Sequence, residues 1–345
     1  MAPSHILPLG ILTLAAACTS GDEVVALDGA GDHQPADPKI YGGDYPDAVY
    51  HDAVVGLHNT FKRGKRIYVY TQPFCTGTLI TDDVVLTAAH CLDAGGGKAM
   101  SPSKLLIYVG DDPWYDLSSH LYDVVETAIH PDYNSSAIRN DVALVRLAVG
   151  VTTAEGIDPV ANLPADEGFT SSDVGTTMNF AGFGENDLGI TTYPKLQVDL
   201  PLGGLGCTVS GCPGAGDAAT QVSYSQGGGG PCFGDSGGPM FVTRGSTTYV
   251  GGITSYGDSY CTIYGVSTRV DAYEDYILSF TGGGDTGGGD TGLSGCDGDG
   301  VCEAGESCDG RYGTTACGDC DGKTTGKPSG RYCYVEGICE GAGCP

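Results

Sequence analysis

Short runs of apolar and β-branched residues, broken by polar turns, fill the middle of this chain. Val54-Val55-Gly56-Leu57, Thr78-Leu79-Ile80, Val84-Val85-Leu86, Leu105-Leu106-Ile107-Tyr108-Val109, Val142-Ala143-Leu144-Val145 and Tyr249-Val250-Gly251-Gly252-Ile253 are typical. They are too short for helices, and their composition and spacing predict an all-β sandwich or barrel. One helix is expected near the end of this region. Asp271 can cap it, Glu274 stands at capping-box spacing, and Tyr273, Tyr276, Ile277 and Phe280 share a face. The pattern stops after Thr281. Gly282-Gly283-Gly284-Asp285-Thr286 repeats at once as residues 287–291, so 282–295 reads as a flexible linker. At the other end, residues 6–17 are apolar but too few to span a bilayer. They make residues 1–17 a signal peptide. Residues 18–39 are polar and aperiodic, and read as a flexible pro-segment.

Fifteen cysteines in 345 residues exclude a reducing compartment. Six lie between 75 and 261, eight between 296 and 344, and Cys18 stands apart. Two even sets imply two disulfide-bonded modules. The second, residues 296–345, has too few apolar residues for a core and is held by its cysteines, whose pairing eight positions leave open. Ala16-Ala17 before Cys18 resembles a bacterial lipoprotein processing site. Lipidation of Cys18 would explain the odd count, and ordinary cleavage nearby is the alternative. A net charge of −27 argues against nucleic acid or anionic membrane as a partner. A lipid on Cys18 would be the only membrane link.

Candidate chemistry lies in three segments. Gly234-Asp235-Ser236-Gly237-Gly238-Pro239 frames one hydroxyl with glycines, which allow a tight turn and close approach of a substrate. The N–H groups of Gly234 and Ser236 are adjacent enough to share one oxygen. Thr87-Ala88-Ala89-His90-Cys91 supplies a base and Asn140-Asp141-Val142-Ala143-Leu144 an acid. A hydroxyl needs a base near neutral pKa, and the base needs an orienting acid.

Together these segments resemble the chymotrypsin/trypsin-like serine peptidases over roughly residues 40–280. The resemblance implies two packed six-stranded antiparallel β-barrels, with the peptidase domain at 40–281; the short C-terminal helix and the small disulfide-rich tail read above complete an all-β fold. It implies Ser236 as nucleophile, His90 as base and then acid, and Asp141 as the group that orients the histidine. Gly234 and Ser236 would form the oxyanion hole. Cys75 would pair with Cys91 and Cys232 with Cys261. Cys207–Cys212 is expected as a local bridge, although the family closes a wider loop there. Cleavage between Lys39 and Ile40 would free an ammonium for the carboxylate of Asp235, as in a zymogen.

The family's pocket for the P1 side chain would be lined by Gly230, Phe233, Ser255, Gly257 and Gly265. No acid stands at its base, so an apolar or aromatic P1 residue is expected. Asp258 is placed near the rim. Such a pocket does not favour lysine, so Lys39 would be cut by a separate activating protease. Asp111 and Asp112 follow Gly110 where the family's calcium loop begins, but the far acid is out of register, and no metal or other cofactor is implied. Residues 299–306 resemble Cys-rich modules of exported bacterial proteins, and the tail's partner is unknown. The expectation is an endopeptidase outside a bacterial cell or on its outer surface, acting on proteins and peptides.

Overall fold

The computed structural model describes residues 23–27, 40, 43–64, 66–185 and 194–282, and four strands of two or three residues beyond position 300. The signal peptide, Cys18, Lys39 and nearly all of the linker and Cys-rich module lie outside the described residues. The chain divides into two units, Met1–Glu274 and Asp275–Pro345. In the second, Glu306–Ser307 pairs with Thr315–Ala316 and Cys333–Val335 with Ile338–Glu340.

The first unit holds two sheets. The N-terminal sheet comprises β1 (Glu23–Leu27), β2 (Val54–Arg63), β3 (Arg66–Tyr70), β4 (Cys75–Leu79), β5 (Val84–Thr87), β6 (Leu105–Tyr108), β7 (Leu121–Ile129) and β8 (Ala143–Leu147). Six of these close on themselves in the order β2-β4-β5-β8-β7-β6, the ring sealed by β2 against β6. Every residue of β4, β5 and β6 is buried. With both faces covered, β5 and β6 show no apolar–polar alternation, and β4 carries only Cys, Thr, Gly and Leu.

The C-terminal sheet runs β10-β9-β13-β14-β15-β12-β11, with β9 at Thr177–Gly182, β10 at Leu196–Pro201, β11 at Gly204–Leu205, β12 at Gln221–Ser225, β13 at Pro239–Arg244, β14 at Thr247–Gly257 and β15 at Tyr264–Arg269. Its interior is a cluster that includes Phe169, Met178, Phe180, Tyr224, Met240 and Val242. Burying each such side chain contributes roughly 1.5–3 kcal/mol. Both sheets are barrel-like and helices are few, as the strand pattern predicts.

Two local expectations are corrected. Part of the aperiodic pro-segment is a strand: β1 pairs in parallel with β3, from Glu23 opposite Arg66 to Leu27 opposite Tyr70. Val24, Val25 and Leu27 suit a strand, and the free edge of β3 offers unpaired backbone groups. The expected capping box is also absent. A 3-10 turn, Asp271–Tyr273, precedes the helix Glu274–Thr281. Asp271 instead binds Arg269 and the N–H of Phe169, and Glu274 accepts from Ala165 N at 3.1 Å. Tertiary partners outcompete the local cap. No helix of the described residues is long and apolar enough to cross a membrane.

Candidate active site

The end of β5 and a one-turn helix, Ala89–Leu92, carry His90. Cys91 is bonded to Cys75 on β4, which anchors that turn to the barrel wall. Asp141 arrives from the opposite direction. Asn140, just before it, has φ of 52°, a left-handed conformation that asparagine tolerates better than most residues. Its side chain is fixed at both ends: Nδ2 donates to Asp132 O at 2.7 Å, and Oδ1 accepts from the Tyr273 hydroxyl at 2.8 Å. The turn aims Asp141 inward, where it is 1% exposed.

The Asp141 carboxylate accepts three hydrogen bonds. His90 donates from its backbone N and from Nδ1, each at 2.8 Å, and Ser255 Oγ donates at 2.5 Å. Because the carboxylate only accepts, Nδ1 carries the proton, and neutral His90 keeps a lone pair on Nε2. Burial pulls the His90 pKa down, but the hydrogen bond and charge of Asp141 outweigh it and hold the imidazole above its ordinary 6.5. Ser255 sits where the β14–β15 register shifts, between Thr254 and Tyr256. Bulges of this kind re-aim a side chain. It was expected to line the pocket, and its hydroxyl is directed to Asp141.

The Ser236 loop meets the same place. The Cys91 sulfur lies 3.8 Å from His90 Nε2 and 3.5 Å from the carbonyl oxygen of Ser236. No hydrogen bond joins Ser236 Oγ to His90 among the described residues, a looseness common before substrate binds. Gly234 has φ of 98°, and a Cβ there would lie 2.9 Å from Gly184 Cα. Gly237 has φ of 82°, and its Cβ would meet Thr87 Oγ1 at 2.1 Å. Only glycine fits either position. Among the described residues the N–H groups of Gly234 and Ser236 donate to no protein acceptor, whereas Asp235 N, Gly237 N and Gly238 N all do. Two free donors thus flank one paired one beside the candidate nucleophile.

Thr76 braces this loop, and the sequence reading missed it. Its N–H donates to Ser236 O at 2.8 Å, and its hydroxyl donates to Gly234 O at 2.8 Å while accepting from Phe183 N at 3.2 Å. Asp235 is buried behind the loop. Its carboxyl accepts from Gly184 N and Cys232 N, each at 2.8 Å. Burial dominates those bonds and pushes its pKa up to about 7. Ile40 is fully buried, and the segment after it joins β10: Asp44 and Gln197 exchange backbone hydrogen bonds at 2.9 and 2.8 Å.

The Trypsin family model matches residues 49–277, about two thirds of the chain. The chain belongs to the trypsin family. Brachyurin of Leptuca pugilator is 32% identical over 238 residues, which cover 66% of this chain and 97% of that protein. The trypsin of Phaedon cochleariae is 31% identical over 219 residues, 59% of this chain and 77% of its own. Venom serine protease Bi-VSP of Bombus ignitus is 31% identical over 215 residues, 59% of this chain and 58% of its own. As a member of the trypsin family the chain is a serine endopeptidase with the chymotrypsin fold, and its substrates are proteins.

Two of the glycines expected to line a P1 pocket lie in one region of the second sheet. Gly257 and Gly265 face each other across β14 and β15, and the Cys232–Cys261 disulfide closes the region. Cys207 and Cys212 are bonded in a separate local loop. Phe233 stands 58% exposed. The space left by the glycines is not empty, however. A Cβ on Gly230 would lie 2.5 Å from Gln226 Nε2, and one on Gly265 would lie 2.3 Å from the Tyr224 ring. Neither Gln226 nor Tyr224 was singled out from the sequence, because Gln226 folds back onto Gly230 and Tyr224 reaches Gly265 across the β12–β15 ladder. Asp258 does not present a free charge at the rim. Its carboxylate accepts from the N–H groups of Tyr260, Thr262, Ile263 and Tyr264, and those bonds together overcome its partial burial to hold its pKa low.

Asp111 and Asp112 are also engaged. Asp112 caps a short turn through Trp114 N at 3.0 Å. Asp111 pairs at 3.0 Å with Lys195, whose fully buried ammonium also donates to His51 O at 2.9 Å. Burial depresses the Lys195 pKa, and Asp111 opposes the shift. The ammonium from the second sheet thereby ties the loop after β6 to the turn before β2. One group of three metal-ligating residues occurs among the described residues, Cys75, His90 and Cys91, and its two sulfurs are joined to each other.

Proposed function

We propose that this trypsin-family chain hydrolyses peptide bonds through Ser236, His90 and Asp141, is exported as a zymogen, and is activated by cleavage between Lys39 and Ile40. The observation that carries the proposal is the buried Asp141 carboxylate holding Nδ1 of His90 while Nε2 stays available. Ser236 Oγ attacks the substrate carbonyl and passes its proton to Nε2. Asp141 stabilises the imidazolium, and the N–H groups of Gly234 and Ser236 receive the oxyanion. His90 then protonates the leaving amine. Water, deprotonated by the same nitrogen, releases the acyl group from Ser236.

Activation rests on Asp235. A buried carboxylate with only backbone N–H partners is costly, and the ammonium of a freed Ile40 would supply its charge partner. Lys39 would be cut by a second protease, because the pocket carries no free acid to hold lysine. The P1 side chain is therefore uncharged, apolar or aromatic. The disulfides favour an oxidising compartment, and export to the exterior or outer surface of a bacterial cell, with Cys18 as a lipid anchor, completes the reading. The test is labelling by a fluorophosphonate after cleavage at Lys39. The cleaved chain should be labelled at Ser236 and should hydrolyse casein, and Ser236→Ala should do neither. A cleaved chain that is neither labelled nor active would refute the assignment.

A further inference from the structure

We propose that Gln226 is the floor of the P1 pocket and a specificity-determining residue, favouring an uncharged P1 side chain that ends in a hydrogen-bond donor, tyrosine above phenylalanine. The proposal rests on the endopeptidase reading above. Gln226 follows β12 and is 1% exposed. Its backbone is held on both sides, N donating to Ile263 O at 3.0 Å and O accepting from Gly229 N at 3.2 Å. Its side chain lies between two of the pocket glycines. A Cβ on Gly230 would meet Nε2 at 2.5 Å, and a Cβ on Gly257 would meet Oε1 at 3.4 Å. The amide therefore occupies the space that a side chain at Gly230 would have taken.

The orientation of the amide follows from chemistry. Nε2 lies 2.6 Å from the carbonyl oxygen of Pro231, which can only accept, so the nitrogen must face it. The other end is then Oε1, an acceptor. Among the described residues Oε1 receives no hydrogen bond, although the residue is almost wholly buried. Oε1 is not one of the wholly buried unpaired atoms among the described residues, so it keeps a trace of access, on the side of Gly257. A P1 side chain that enters alongside Gly257 meets it. A phenol hydroxyl satisfies Oε1. A phenyl ring covers it and leaves it unpaired, at a cost of about tenfold in kcat/KM. A lysine or arginine brings a charge that a neutral amide cannot balance.

The activated full-length enzyme, with Gln226→Leu and Gln226→Glu, is assayed on one peptide series that differs only at P1. Wild type should prefer Tyr over Phe by about tenfold, and Gln226→Leu should bring the ratio near one. Gln226→Glu must hold a proton to donate to Pro231 O, so it should keep the preference for Tyr at low pH and gain cleavage after Lys and Arg only as the pH rises far enough to ionise it. Fluorophosphonate labelling of each variant reports an intact catalytic apparatus independently of P1. Variants that label like wild type but keep its P1 profile would overturn the role of Gln226. A wild-type enzyme that neither labels nor cleaves any peptide overturns the endopeptidase reading itself.

Discussion

Replacing Asp235 by asparagine should have opposite effects before and after cleavage at Lys39. In the intact chain the Asp235 carboxyl is wholly buried, and its pKa stands near 7 against 3.8 in the open chain. The folded chain keeps this proton up to about pH 7, while the unfolded chain releases it near pH 3.8. Raising the pH across that window therefore favours unfolding. At about 1.36 kcal/mol per unit, the stability lost by pH 8 is at most about 4 kcal/mol. Asparagine never ionises and keeps one acceptor for Gly184 N or Cys232 N, so it forgoes about 1 kcal/mol of hydrogen bonding. The intact Asp235→Asn chain should gain about 3 kcal/mol at pH 8 and lose about 1 kcal/mol at pH 3.5. In the cleaved chain the ammonium of Ile40 would lose its partner, and the same substitution should cost about 3–5 kcal/mol. The measurement is urea unfolding by circular dichroism at several pH values, on intact and cleaved chains, with Ser236→Ala throughout to stop self-digestion. If Asp235→Asn weakens the intact chain at pH 8, or if intact stability is flat between pH 4 and 7, the argument fails.

Three other outcomes follow from the site. The acid limb of the pH–kcat/KM profile should titrate above 6.5, since His90 must be neutral and its pKa is raised; Asp141→Asn should move that limb to lower pH, burial then acting unopposed, and reduce kcat by about 10⁴. Thr76→Val should lower kcat about tenfold with little change in KM, because Gly234 loses its brace and oxyanion donors act on the transition state; Thr76→Ser should restore most of it, and equal losses in both variants would refute the role of the hydroxyl. Lys195→Ala should destabilise the domain by about 3 kcal/mol, leaving His51 O unpaired and a cavity behind; thermal unfolding monitored against Lys195→Met, which refills the volume, separates the two causes.

The strands were legible, and the three candidate segments stood out, because each is written locally. β4, β5 and β6 are unbroken apolar or threonine-bearing runs, and His90, Asp141 and Ser236 each stand in a short segment of distinctive composition. What the sequence withheld are contacts between distant positions. The Thr76 hydroxyl meets Gly234, 158 residues away, Lys195 meets His51, 144 away, and Ser255 meets Asp141, 114 away. No local pattern marks any of them. Asp271 and Glu274 show the converse: the capping spacing was present, but Arg269 and Ala165 claimed both side chains.

The pocket extends that lesson to specificity. Glycine at 230, 257 and 265 reads as open space when each position is taken alone. Close packing forbids a void of that size in a folded interior, so some other side chain must fill it unless substrate does. Here the chain supplies Tyr224 behind Gly265 and the amide of Gln226 against Gly230. A glycine in a binding pocket is thus a statement about which neighbour reaches in. If the P1 side chain enters beside Gly257, the chemistry at the base of the pocket belongs to Gln226, and its unpaired acceptor is where selectivity between uncharged side chains arises.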